Sequence, residues 1–363
     1  MVDLIRNENI RITFGMIVLN GEPFTRYNLR SLYPYAHQII AVEGACLAAK
    51  NVATKDGHSR DTTLETLKRF KAEEDPDNKL IIVTAEDEGH KDGFWPGEKD
   101  EMSQAYAKRA TGNYLWQVDS DEFYTEKNMK HILDLLDKGV DAVSFPMITF
   151  WGGLDYTVDG YYLRCLGARE YHRLFRWGTG YKYQKHRPPT VLDEHGEDTR
   201  SKYWLRANDL EQMEVYLNHY SLLFPSQVKD KCDYYSKVDW TKCSDILDWA
   251  QNSYLNLTQP FRVHNVAKHI SWLERYHGEH PNQVNAMMED ISSGHINCVL
   301  RDNADIERLL NKWSYRAAVF VLYRLALIRN TTPGHFAYRV WLAVYGRLVR
   351  LPQRIKLCVS NKH

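Results

Sequence analysis

The chain has 363 residues, 44% of them hydrophobic and 26% charged, which supplies a sizeable core and excludes a wholly disordered chain. Forty-seven basic and 47 acidic residues cancel. The balance is uneven, because residues 308–363 hold eleven Lys or Arg and no Asp or Glu, leaving 36 basic against 47 acidic in the rest. The six cysteines form no C-x-x-C pair and no zinc spacing, so a reduced, cytosolic setting is expected. The N-terminal stretch MVDLIRNENIRIT lacks the apolar centre of a signal peptide. No run reaches the ~18 apolar residues of a membrane span.

Residues 12–19 (ITFGMIVL) predict a strand, broken by Asn20-Gly-Glu-Pro23. Phe24, Asn28, Leu29 and Leu32 then recur at helical spacing, and residues 38–42 (QIIAV) form a second strand that ends in Glu43-Gly44. Such a strand–helix–strand unit implies a parallel pair with a right-handed crossover. After a loop at Asp56-Gly-His-Ser59, Thr62 and Glu65 have the spacing of a capping box, and Leu64, Leu67 and Phe70 form the buried stripe of the next helix. Residues 79–84 (KLIIVT) are the third strand. A helix over 98–110 has Met102, Ala105 and Tyr106 as its apolar face, and Tyr114–Val118 is the fourth strand.

Four strands alternating with three helices predict an α/β, Rossmann-like, mostly parallel sheet flanked by helices over residues 10–125. The dinucleotide fingerprint G-x-G-x-x-G and the Walker loop are both missing, which weighs against a NAD or FAD enzyme and a P-loop nucleotidase. Further on, residues 127–137 predict a helix and 142–150 a fifth strand. Residues 173–177 and 181–185 predict a hairpin about Gly178-Thr-Gly180. Residues 215–224 (VYLNHYSLLF) place His219 among aromatics, and 225 to about 300 reads as helical and polar.

The fourth strand runs into Asp119-Ser-Asp121-Glu122. Carboxylates this close repel one another, and a divalent cation relieves the conflict by taking several oxygen ligands. Ligands of open α/β sheets sit beyond the carboxyl ends of the strands. The stretch therefore reads as a metal–phosphate site; an acidic turn capping the next helix is the alternative.

Four pieces in order then resemble a bacterial family 2 type glycosyltransferase of GT-A fold: Gly15–Glu22, Val42-Glu43-Gly44, Asp56–Leu64 and Ala110–Glu122. The likeness covers about residues 12–225. It implies transfer of a sugar from a nucleotide-sugar donor with Mn²⁺ or Mg²⁺ on the diphosphate. By the same resemblance Asp119 and Asp121 are metal ligands, with Asp119 also at the donor. Glu43 meets the nucleoside, and Lys99 approaches the diphosphate. Asp193 or Glu194 would be the base of an inverting reaction, with His186 as a rival or orienting group. His219 is either a further metal ligand or a hydrogen-bonded core histidine. Trp151-Gly-Gly153 lines the acceptor site or is structural.

The expected organisation is a catalytic domain over 1–225, a helical extension over 226–307 and a basic tail over 308–363. Residues 313–328 and 334–351 in the tail are amphipathic, with basic residues beside an aliphatic and aromatic face, as in helices that lie in a membrane interface. An enzyme acting on a glycan or lipid-linked glycan at the cytoplasmic face of the membrane, in polysaccharide biosynthesis, joins the two ends of the chain. No nucleic-acid partner is expected. The rival readings are a nucleotidyltransferase and a non-catalytic, membrane-attached glycan-binding protein.

Overall fold

The computed structural model describes residues 10–165, 170–236, 246–265, 270–329 and 333–334. In chain order the first strands are β1 (Ile12–Val18), β2 (Ala36–Glu43), β3 (Leu80–Val83), β4 (Tyr114–Val118), β5 (Glu122–Phe123), β6 (Ala142–Phe145) and β7 (Met147–Trp151). They continue with β8 (Tyr156–Gly160), β9 (Tyr171–Arg176), β10 (Lys182–His186), β11 (Pro189–Leu192), β12 (Trp204–Leu205), β13 (Leu217–Leu222) and β14 (Ser271–Arg275). The helices are α1 (Thr25–Leu32), α2 (Thr63–Glu73), α3 (Glu98–Ala107), α4 (Glu126–Asp137), α5 (Tyr161–Cys165) and α6 (Ala207–Gln212). After them come α7 (Pro225–Tyr235), α8 (Ile246–Trp249), α9 (Asn282–Ser292), α10 (Ala304–Asn311) and α11 (Trp313–Arg329).

The chain is α/β, with a mostly parallel seven-stranded sheet flanked by helices, in the order β12-β6-β9-β4-β1-β2-β3. The expected β1–β2, β2–β3 and β1–β4 neighbours are parallel, while β9 runs antiparallel between β4 and β6. Side-chain alternation distributes β4 between two cores. Tyr114, Trp116 and Val118 join α1, α2 and α4 in one cluster, and Leu115 joins α3 in the other. Gln117 and then Asp119 follow the parity of Leu115, which carries the acidic end toward the α3 side. Gly15 on β1 makes that packing close, since a Cβ there would lie 2.5 Å from the Tyr106 ring.

A second sheet, ordered β14-β8-β7-β13-β5, abuts the first. It corrects several expectations. The predicted fifth strand is two strands, β6 and β7, that part at Pro146 and enter different sheets. The predicted hairpin does not form: β9 is paired on both sides inside the large sheet, and β10 pairs with β11 instead. The polar stretch after residue 225 contains β14, which closes on β8. At α2 the Thr62 side chain makes no cap bond; the Asp61 carboxylate accepts from the Thr63 N–H at 3.0 Å.

His172 on β9 lies 2.5 Å from the Ser144 hydroxyl. Burial, helped by the Arg200 charge, brings its pKa down to about 4. An unfolded histidine protonates near 6.5. The unfolded chain therefore binds more protons between pH 6.5 and 4, and the stability of the fold drops as pH falls through that window. Melting temperature is expected to decrease from pH 7 to pH 4.5, and His172→Gln should flatten the decline in a thermal melt series.

Candidate active site

The Asp119–Glu122 turn joins the two sheets. The Glu122 N–H donates to the Asp119 carbonyl at 3.0 Å, and the Asp119 N–H donates to Glu122 Oε2 at 3.2 Å. Glu122 is fully buried and accepts three hydrogen bonds from Arg173 of β9, at 2.6 Å from Nη2 and at 3.0 and 3.2 Å from Nε. The same guanidinium reaches Asp119 Oδ2 at 3.6 Å. Burial opposes ionisation of Asp119, but Arg173 and Lys99 hold its carboxyl below the ordinary value.

Asp121 faces the other way along the turn. The β5–β13 ladder sets His219 opposite Glu122, and the Tyr220 N–H donates to the Asp121 carbonyl at 2.9 Å. His219 Nε2 consequently lies 3.4 Å from Asp121 Oδ1. α7, opened by Pro225 in its first turn, contributes the rest. Gln227 donates to Asp121 Oδ2 at 3.2 Å, and Lys231 Nζ lies 3.6 Å from the same oxygen. Against the cost of burial, Lys231 and His219 hold Asp121 far below the usual carboxylate range.

Above the two aspartates is a cavity of about 710 Å³, within the range of a small-molecule site. Lys99 of α3, the His186-Arg187-Pro188-Pro189 corner between β10 and β11, and Lys231, Tyr234 and Tyr235 of α7 line it. Gly44, Cys46 and residues 17–22 form another wall. Burial and the neighbouring Lys99 charge push His186 down to about 2, so it stays neutral, with its Nδ1 at 2.8 Å from the Ser103 hydroxyl.

The structure brings Asp119, Asp121, His219 and Lys99 to one cavity. It does not bring Glu43, Asp193 or Glu194 there. Glu43 is fully buried, with one oxygen accepting from the Ser59 N–H at 2.8 Å and the other 2.8 Å from His58 Nδ1, so it ties down the 53–59 loop. Asp193 is closed off by Lys202 at 2.6 Å and by the His195 and Glu197 N–H groups, and Glu194 is exposed on the same turn. A carboxylate engaged in a turn away from the cavity cannot take a proton from a substrate inside it. Trp151 is buried, donates to the Val263 carbonyl at 3.1 Å and carries Arg301 over its ring. Its role is structural.

Arg173, Arg187, Gln227, Lys231 and His264 also line the cavity and were not anticipated. Gln227, Lys231 and Tyr234 recur at helical spacing after Pro225, which is a readable signal. What that face looks onto is not.

Among the described residues no three His, Cys, Asp or Glu side chains are grouped to hold a metal. Asp121 and His219 nevertheless fit one as a pair, being a carboxylate oxygen and an imidazole nitrogen 3.4 Å apart. A small hard cation bound beside phosphates needs only one or two protein carboxylates, with phosphate and water oxygens completing its shell.

Fold and site together define an α/β protein with a paired-aspartate, cation-lined ligand cavity at its strand ends. No family model and no curated protein matches the chain. Among solved structures it is similar to S. aureus TarS 1-349, at 13% identity over 69% of this chain and 74% of that one, with a TM-score of 0.35. The complex of that protein with UDP-GlcNAc matches at 12% identity, 68% and 72% coverage and a TM-score of 0.33. A glucosyl-3-phosphoglycerate synthase from Mycobacterium tuberculosis, in complex with Mn²⁺, UDP and phosphoglyceric acid, matches at 14% identity and a TM-score of 0.29. There the coverage is 46% of this chain and 56% of that one. These values fix neither a family nor an activity for this chain.

Proposed function

We propose that the chain is a metal-dependent glycosyltransferase of the GT-A, family 2 type, taking a sugar from a nucleotide-sugar donor. The observation that carries this reading is the pair of strand-end aspartates beneath a cavity whose walls supply Lys99, Arg187 and Lys231. Asp121 and His219 would hold a Mn²⁺ or Mg²⁺ ion, with Asp119 beside them. Such an ion, when bound, offsets the charge that develops on a departing diphosphate. The chain's own part is to orient the donor over the turn and to present cationic donors to the diphosphate. The neutral His186 positions the wall through Ser103 and does not carry a charge to the reaction.

A panel of sugar nucleotides incubated with Mn²⁺ or with EDTA tests the reading. Metal-dependent release of a nucleoside diphosphate from one donor supports it. Release of pyrophosphate from a nucleoside triphosphate would favour a nucleotidyltransferase, and no turnover of any donor would favour a binding protein.

The acceptor is proposed to be a glycan or lipid-linked glycan, met at an anionic membrane surface on the cytoplasmic side. Support comes from α11, where Trp313, Phe320, Val321, Leu325 and Ile328 are exposed beside Arg316 and Arg324. None of the described helices is long and apolar enough to cross a membrane. The second amphipathic stretch expected in the tail, 334–351, lies almost wholly outside the described residues. The expected amphipathic pattern is not seen in α11, whose exposed apolar and cationic side chains are spread round the helix rather than set on opposite faces; its cations suit an interface of anionic lipid, where each adds about 1 kcal/mol. Replacing Trp313, Phe320 and Ile328 together by Glu should cut recovery with phosphatidylglycerol vesicles at least about tenfold in a sedimentation assay. Unchanged recovery would remove this surface from the proposal.

A further inference from the structure

We infer that Gln227 is the positioning residue of Asp121: its amide ties one carboxylate oxygen to the corner between β13 and α7 and so fixes the other where it faces His219. The inference rests on the metal-dependent reading above and gives Gln227 an effect on the ion only through Asp121.

The corner is anchored by its own sequence. Leu222, Leu223 and Phe224 are apolar and buried, Phe224 packs on Phe24 with ring centroids 5.5 Å apart, and Pro225 starts α7 at once. Gln227 sits one residue further into the first turn. Its Oε1 accepts from the Leu223 N–H at 3.2 Å and from the Phe224 N–H at 3.4 Å. With the oxygen committed to two backbone donors, the amide has one polarity open to it, and Nε2 donates to Asp121 Oδ2 at 3.2 Å. A turned amide would set N–H against N–H at the corner and oxygen against oxygen at Asp121. The same segment holds Asp121 at two more points: the Tyr220 N–H donates to its carbonyl at 2.9 Å, and His219 Nε2 lies 3.4 Å from Oδ1. Lys231, 3.6 Å from Oδ2, supplies charge there, but a compact ammonium on a rotatable stem supplies no direction. Direction comes from the amide, whose oxygen is fastened to the backbone of two core residues. Removing a contact that orients a metal-binding carboxylate typically weakens metal affinity by about 10–100-fold.

Gln227→Met keeps the length of the side chain and removes both ends of the amide. Titration calorimetry of the full chain with Mn²⁺, without nucleotide, should give an affinity at least about tenfold weaker than that of the parent. The near-ultraviolet circular dichroism of the metal-free variant should match the parent. A glutamine that only caps α7 would leave Mn²⁺ affinity where it was. Unchanged Mn²⁺ affinity, or weaker affinity accompanied by an altered near-ultraviolet spectrum, would overturn the inference. Gln227→Asn keeps an acceptor in the first turn of α7 but is one methylene short of Asp121, and it gives the same readout if the Met variant does not fold. A parent chain that binds no Mn²⁺ would overturn the inference together with the metal-dependent reading. Neither measurement requires turnover, so a chain that binds Mn²⁺ with this dependence on Gln227 and releases no nucleoside diphosphate from any sugar nucleotide would refute the transferase reading alone.

Discussion

Asp121→Asn is expected to lower nucleoside diphosphate release by about 10²–10³-fold, the scale set by removing one preorganised electrostatic contact to a developing charge. The substitution preserves shape and removes only the charge. Asp121 is held by His219, Gln227 and Lys231, and its side chain keeps 13% exposure, so asparagine can retain the Gln227 contact and the turn. Near-ultraviolet circular dichroism should therefore match the parent while turnover is lost. Asp119→Asn should have a smaller effect, because Arg173 already offsets Asp119 and a third of its side chain remains exposed. Equal turnover in Asp121→Asn and the parent would remove the acidic turn from the chemistry.

Arg173→Met has the largest expected effect on stability. It strands Glu122, which has no exposed surface, beside Asp119. Removing one member of a buried ion pair costs about 3–5 kcal/mol, because the remaining charge has lost its compensation. Urea denaturation should report a loss on that scale. Adding Glu122→Gln should restore most of it, since a neutral amide needs no guanidinium. A double variant no more stable than Arg173→Met would show that Arg173 acts through packing alone.

The parallel half of the large sheet was legible because its strands are buried on both faces and read as short apolar runs between turn signals. Tyr114–Val118 is the clearest case: all five of its residues are buried, and the acidic end announces itself. The antiparallel additions were harder. β9 contains the turn-flanking pattern of a hairpin strand, yet both of its edges are taken by strands whose paired residues lie 26 to 62 positions upstream, a choice made by tertiary pairing. β14 is five residues long and sits in polar surroundings, so periodicity alone does not separate it from helix. The site was legible in the same uneven way. Asp119, Asp121, Lys99 and His219 could be named because a strand end and a family likeness placed them. Asp193 and Glu43 are equally acidic, and only their partners, Lys202 for one and His58 with Ser59 for the other, show them to be structural. Lys231 lay in a stretch that looked like a polar helix, and no sequence pattern states which wall such a helix will form.

The acidic turn spans a seam: Asp119 leaves a strand of the seven-stranded sheet, and Glu122 begins a strand of the five-stranded one. The chain crosses between the same two slabs again at Pro146, between β6 and β7, so the acidic turn is one of several covalent crossings of the joint. A ligand gripped by both carboxylates would act as a rivet through the joint. Binding there would then add to the cohesion of the two slabs, and a bound ligand should raise the melting temperature.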